Sequence, residues 1–204
     1  MTDCLELPSQ PVLVTMSGSP RCGKTFMMQN ILKQYESINY FSGGVSIVSG
    51  CECIAQEDYP NCIIMEKFDL LEFLLPLLQE NCSTRKPRAI VFDDVMLDPV
   101  AIDQLVSIHR SLNISVFILQ QFPAKMPTKR HSRHVDMAFM WKVSRMICPE
   151  DTLFSCFGER HFESKQEFSK ALNNCPELFS CLLSSKDSKY SYVVAKKMAI
   201  KSNN

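Results

Sequence analysis

The stretch Gly18-Ser19-Pro20-Arg21-Cys22-Gly23-Lys24-Thr25 sets two glycines four residues apart, followed by a lysine and a threonine. That spacing is the phosphate-binding loop pattern. A polyphosphate is gripped by backbone N–H groups, so the chain must curl with its amides pointing inward. Glycine permits the curl and lets the main chain approach the phosphate oxygens. Lys24 offers a compact cation to β- and γ-phosphates, and the Thr25 hydroxyl can ligate Mg²⁺. All eight residues are therefore candidate contacts for ATP. A helix that starts here aims its positive N-terminal end at the anion.

The flanks agree with this reading. Residues 11–16, Pro-Val-Leu-Val-Thr-Met, read as a short buried strand, and residues 26–35 carry apolar side chains at helical spacing. Strand, loop and helix form the context that the motif requires. Further along, Ala89-Ile90-Val91-Phe92-Asp93-Asp94 is a buried-strand run that ends abruptly in two carboxylates, the Walker B pattern. A carboxylate at the C-terminal end of a parallel strand reaches the crevice where ligands bind. Asp93 is assigned to Mg²⁺, directly or through water. Asp94 is assigned to orienting or deprotonating the attacking water. Residues 113–121 form another strand, which ends in Gln120-Gln121. An amide there can touch a γ-phosphate, and Gln121 is preferred over Gln120.

Composition bounds the rest. The chain has 204 residues, 46% hydrophobic and 22% charged, which suits one globular domain with a sizeable core. Its 22 basic and 22 acidic residues balance. Any surface that attracts nucleic acid must therefore be local. Ten cysteines include no C-x-x-C pair, and Cys22 lies where a disulfide would obstruct the nucleotide. Reduced thiols in a cytosolic or nuclear compartment are expected, most of them acting as small buried hydrophobes. The first eight residues carry no basic region and no apolar run, so they do not read as a signal peptide. No apolar run reaches the ~20 residues of a membrane helix.

Other elements expected are strands at 45–49, 62–65 and 137–141, with a last one at 190–195. Helices are expected at 68–75, ended or kinked by Pro76 or followed by a second helix that begins there and ends near residues 79–82, and at 99–110, 149–157 and 163–172. His109 reads as structural. Residues 123–134 form a basic loop with Lys125, Lys129, Arg130, His131, Arg133 and His134. It leaves the Gln121 strand, so it is expected on the nucleotide's edge of the sheet. Residues 1–10 read as a lead-in, 11–145 as the ATPase core and 146–204 as an extension of the same domain.

The chain resembles the FtsK–HerA superfamily, and within it the poxvirus-type packaging ATPases of double-stranded DNA viruses and virus-like transposons. The resemblance covers about residues 10–145. It rests on the phosphate loop, the Asp93-Asp94 strand, and the run Ser107-Ile108-His109-Arg110-Ser111-Leu112-Asn113-Ile114-Ser115 leading to Gln121. It continues through Pro127, Arg133, Val135, Asp136 and Phe139. Many relatives have Asp-Glu where this chain has Asp-Asp.

The resemblance implies an α/β fold of the P-loop NTPase class. Its sheet would be RecA-like, with an additional strand between the phosphate-loop and Walker B strands and helices on both faces. It implies an ATP- and Mg²⁺-dependent motor that pumps viral double-stranded DNA into a preformed capsid. The motor would be a homo-oligomeric ring that meets capsid vertex proteins in the host cytoplasm or nucleus, or on the virion. An arginine from one subunit would reach the neighbour's ATP; Arg133 is preferred and Arg130 competes with it. A nucleotide kinase would need a second, acceptor site with an arginine-rich lid. A GTPase would need an Asn-Lys-x-Asp motif, which is absent. A non-catalytic capsid scaffold that keeps a nucleotide would not need an intact Lys24, Thr25 and Asp93.

Overall fold

The computed structural model describes residues 11–49, 62–65, 70–95, 99–121, 132–142, 150–175, 180–186 and 190–194. In chain order the strands are β1 (Leu13–Ser17), β2 (Val45–Ser49), β3 (Cys62–Met65), β4 (Arg88–Asp93), β5 (Ile114–Gln120), β6 (Met137–Met140), β7 (Ser180–Ser185) and β8 (Ser191–Val194). The helices are α1 (Lys24–Ser37), α2 (Leu70–Thr84), α3 (Pro99–Ile108), α4 (Glu150–Phe157) and α5 (Lys165–Asn173), with a 3-10 turn at Gly158–Arg160.

The eight strands among the described residues form one sheet in the order β3-β2-β4-β5-β1-β6-β7-β8. The pairings from β3 to β6 are parallel, and β7 is antiparallel to both its neighbours. The central strands are apolar almost throughout because a parallel sheet is covered on both faces. On one face, Leu13, Ile90, Val116 and Ile118 pack against α2, α3, α4 and α5 through Leu74, Ile102, Leu153 and Phe168. On the other, Val14, Val91 and Phe117 pack against α1 through Met27, Met28 and Ile31. The strand β5 lies between β1 and β4. This is the additional strand expected from the sequence, and it brings the ends of β1, β4 and β5 together at one edge of the sheet.

The opposite, amino-terminal edge explains the run from His109 to Ser115. His109 is 2% exposed, and its Nδ1 lies 2.9 Å from the Ile114 carbonyl. The carbonyl can only accept, so that nitrogen carries the proton. Burial lowers the ring's pKa and outweighs the carbonyl's opposing pull, which keeps it neutral. Asn113 takes a left-handed φ of 59° and its amide donates to the Arg85 carbonyl. Ser115 Oγ accepts from Val12 N. Arg110 reaches Asp136 Oδ1 at 2.5 Å, while Asp136 Oδ2 accepts from Leu13 N at 2.8 Å. The run is a corner that ties the starts of β1, β5 and β6.

Burial pushes the Asp136 carboxyl up, but the Leu13 N–H, Arg110 and Lys186 outweigh it and hold the group below its ordinary value. A depressed carboxyl pKa contributes stability above the unfolded value of about 4 and loses it as pH falls through the folded value. Acid titration of thermal stability should therefore show a steeper loss below about pH 4 in the parent chain than in Asp136→Asn. Parallel profiles would remove Asp136 from the account.

Three expectations change. Pro76 neither ends the helix nor begins a second one, because α2 runs through it to Thr84. Proline removes one backbone bond, while Leu74 and Leu77 on either side are buried in the core. The strand β7 was not expected. Its Ser-Cys-Leu-Leu-Ser-Ser sequence lacks a long apolar run, yet Leu182 packs into one face and Cys181 and Leu183 into the other. The cysteines whose burial is described are less buried than expected: Cys181 is buried, Cys22, Cys156 and Cys175 are half-buried and Cys82 is exposed, all of them free thiols. Among the described residues no helix is long and apolar enough to cross a membrane.

Candidate nucleotide site

The phosphate loop leaves the end of β1 and turns directly into α1. Gly18 N donates to the Gln120 carbonyl at 3.3 Å, and Cys22 N to the Ser19 carbonyl at 3.4 Å. Pro20 and Arg21 form the exposed tip. Gly23 has a φ of 107°, which a side chain tolerates poorly. Gly18 is constrained differently. A Cβ there would lie 2.7 Å from Cys22 Sγ and 2.8 Å from Trp141 Cβ. Trp141, at the end of β6, is a floor beneath the loop that sequence reasoning missed; its only signal was being the single tryptophan. Gly18→Ala should weaken ATP affinity at least about tenfold, equivalent to ~1.4 kcal/mol, because the loop must shift. Calorimetric titration of ATP checks this, and an unchanged affinity would mean that the loop has slack.

Lys24 is 8% exposed. Its ammonium donates to the Gly18 and Ser19 carbonyls, each at 2.9 Å. Those two bonds satisfy a buried charge within the loop. The Thr25 hydroxyl donates to Asp93 Oδ2 at 3.0 Å, so the two groups assigned to the metal meet although 68 residues apart in the chain. Asp93 is 3% exposed. Burial raises its pKa, and Asp94 adds to this, against the stabilising Thr25 hydroxyl and Lys24 charge. Two adjacent hard oxygen donors, one a carboxylate strained by burial, fit a small dication such as Mg²⁺.

Asp94 follows with a left-handed φ of 55°, and its N–H donates to the Leu119 carbonyl at 3.0 Å. This turn breaks the strand's alternation, leaving Asp94 exposed while Asp93 is buried. Gln121 Nε2 donates to Asp94 Oδ2 at 2.5 Å. The preferred amide and the preferred water-orienting carboxylate are thus in contact. Gln120 differs. Its Nε2 is buried without a hydrogen-bond partner, as is Oγ of Ser17, its register partner on β1. Burial raises the Cys22 pKa more than the Lys24 charge lowers it, which favours the neutral thiol.

Arg133 is not at this site. It is exposed and precedes β6 by four residues, beside Asp136, whose carboxylate caps the first residue of β1. That is the amino-terminal edge, whereas the phosphate loop is at the carboxyl edge. The five residues of β1 separate them by about 16 Å. Because β5 and β6 are both parallel to β1, β5 ends at the nucleotide's edge and β6 starts at the opposite one, which is where Arg133 lies. Arg130, with His131, Lys125 and Lys129, lies outside the described residues.

No family model matches the sequence, and no curated protein does. Solved structures with a similar fold include the DNA-packaging ATPase B204 from Sulfolobus turreted icosahedral virus, with a TM-score of 0.61 over 91% of this chain and 98% of that one, at 11% identity. The genome-packaging NTPase B204 from Sulfolobus turreted icosahedral virus 2, in complex with AMP, gives 0.62 over 92% and 98%, at 11% identity. The cytoplasmic domain of the type VII secretion ATPase EccC from Thermomonospora curvata gives 0.60 over 93% of this chain and 27% of its own, at 13% identity. The chain has the α/β fold of these ATPases.

Proposed function

We propose that this chain is an ATPase that drives double-stranded DNA into a preformed viral capsid. The observation that carries the reading is the meeting of Lys24, Thr25, Asp93, Asp94 and Gln121 at one edge of a sheet with an inserted strand. A structural nucleotide would need the loop but not the Gln121–Asp94 contact. The nearly full-length likeness to two B204 packaging enzymes supports the choice among P-loop functions.

In this reading Lys24 exchanges its two loop carbonyls for the β- and γ-phosphate oxygens of ATP. Thr25 and Asp93 hold Mg²⁺, which neutralises charge on those phosphates. Asp94 orients the attacking water and Gln121 positions Asp94. Asp94 is one methylene shorter than the glutamate common in the family, and the Gln121 amide compensates by fixing the carboxylate. Arg133 cannot serve its own phosphate loop across the sheet. In a head-to-tail ring the surface that carries the nucleotide meets a different surface of the next subunit. An arginine at the amino-terminal edge is therefore suited to the neighbour's ATP, with Arg130 as the competing donor. The ring would act with capsid vertex proteins in the host cytoplasm or nucleus, or on the virion.

The formal charge is zero, so contact with DNA depends on local basic residues. Binding should be salt-sensitive and indifferent to sequence, because phosphate contacts carry no base information. The deciding experiment measures ATP hydrolysis alone, with double-stranded DNA, and with nucleoside monophosphates. Stimulation by DNA of any sequence supports the motor. Phosphoryl transfer to a monophosphate would make the chain a nucleotide kinase, and binding without turnover would make it a scaffold.

A further inference from the structure

The region after residue 145 has no counterpart in the motif pattern, yet two of its side chains grip the segment that carries Arg133. Arg160, at the end of the 3-10 turn, donates through Nη1 to the Val135 carbonyl at 2.9 Å and through Nη2 to the Ser132 carbonyl. Lys186, at the end of β7, donates to the His134 carbonyl at 3.1 Å and to Asp136 Oδ1 at 3.3 Å. Three backbone carbonyls within four residues are thus held by cations from the extension. Ser132 is buried, whereas Arg133 between these anchors is exposed and makes no bond to any described residue.

We infer that Arg160 and Lys186 are positioning residues, which hold residues 132–136 so that Arg133 projects as a rigid cation towards a neighbouring subunit. This rests on the proposed role of Arg133 in trans. The physical case is one of preorganisation. A charge on a mobile loop must be ordered each time it meets the phosphates, and that ordering subtracts from transition-state stabilisation. A planar guanidinium suits the task because its fork spans two carbonyls at once. The turn bearing Arg160 is itself anchored: a Cβ on Gly158 would lie 2.7 Å from a Phe154 ring carbon and 2.9 Å from a Phe168 ring carbon. Ser184 Oγ donates to the Phe157 carbonyl, tying the turn to β7, which also carries Lys186. The extension is therefore a brace built on the hydrophobic core.

The test compares turnover and ATP affinity in the parent chain, Arg160→Ala, Arg133→Ala and the double variant, with amide hydrogen exchange over residues 132–136. Arg160→Ala should lower kcat about tenfold or more, leave ATP affinity unchanged and speed exchange in that segment. In the Arg133→Ala background it should have no further effect on kcat, because the two act as one unit. Arg160→Lys should restore part of the loss. Lys186→Gln should repeat the pattern more weakly, and it carries the test if Arg160→Ala fails to fold. Equal losses in both backgrounds, or full turnover with faster exchange, would overturn the brace while leaving Arg133 in place. Full turnover in Arg133→Ala would instead overturn the role of Arg133, and the brace's function with it.

Discussion

Arg133→Ala is expected to bind ATP normally and to lose hydrolysis by about 10³–10⁵-fold, the range for an arginine supplied to a phosphoryl-transfer site. Negative charge spreads over the γ-phosphate oxygens and the leaving oxygen as the bond breaks, and a guanidinium placed there stabilises the transition state. Normal binding is expected because Arg133 and the phosphate loop occupy opposite edges of the sheet. The same separation makes a complementation experiment decisive. An Arg133→Ala subunit retains a sound phosphate loop, and a Lys24→Ala subunit retains a sound arginine. Mixed rings should regain activity at interfaces that pair the two intact halves. If mixing restores nothing and Arg133→Ala only weakens DNA binding, the amino-terminal edge is a DNA contact. If Arg130→Ala behaves in the expected way and Arg133→Ala does not, the donor is Arg130.

Asp94→Asn should remove turnover by about 10²–10⁴-fold, the usual contribution of a general base, while ATP affinity stays near that of the parent. The substitution keeps the shape and removes only a charge needed in the transition state. Asp93→Asn should instead weaken Mg²⁺-dependent ATP binding, because the buried partner of Thr25 loses its charge. Lys24→Ala should abolish tight binding with or without metal, since the phosphates lose their cation. Titrations with and without Mg²⁺, set beside single-turnover hydrolysis, separate the three effects. Equal loss of binding in Asp93→Asn and Asp94→Asn would mean that the roles of the two carboxylates are misassigned. Gln121→Ala should follow Asp94→Asn more weakly, because its amide holds that carboxylate at 2.5 Å.

The phosphate loop was legible because its chemistry is contiguous. Eight successive residues would wrap one anion in the proposed role, so their spacing in the chain is their spacing in space. The Asp93-Asp94 strand was legible for a related reason: a strand covered on both faces must be apolar until it ends, so a carboxylate marks the edge. The resemblance also anticipated the inserted strand β5. The tertiary structure alone decided matters that depend on strand order and on contacts far apart in the chain.

Alternation on β5 sends Gln120 beside Ser17, where its amide nitrogen is buried, and leaves Gln121 for Asp94. The chain shows only two adjacent amides. His109, Arg110 and Asn113 acquire their roles at the amino-terminal edge from partners on other elements, Asp136 among them. The strand β7 is defined by burial between β6 and β8, which three apolar residues among serines do not announce. Arg133 was expected on the nucleotide's edge because it follows Gln121 in the chain. Because β6 is parallel to β1 and β5, it must start at the far edge, and Arg133 lies four residues before that start.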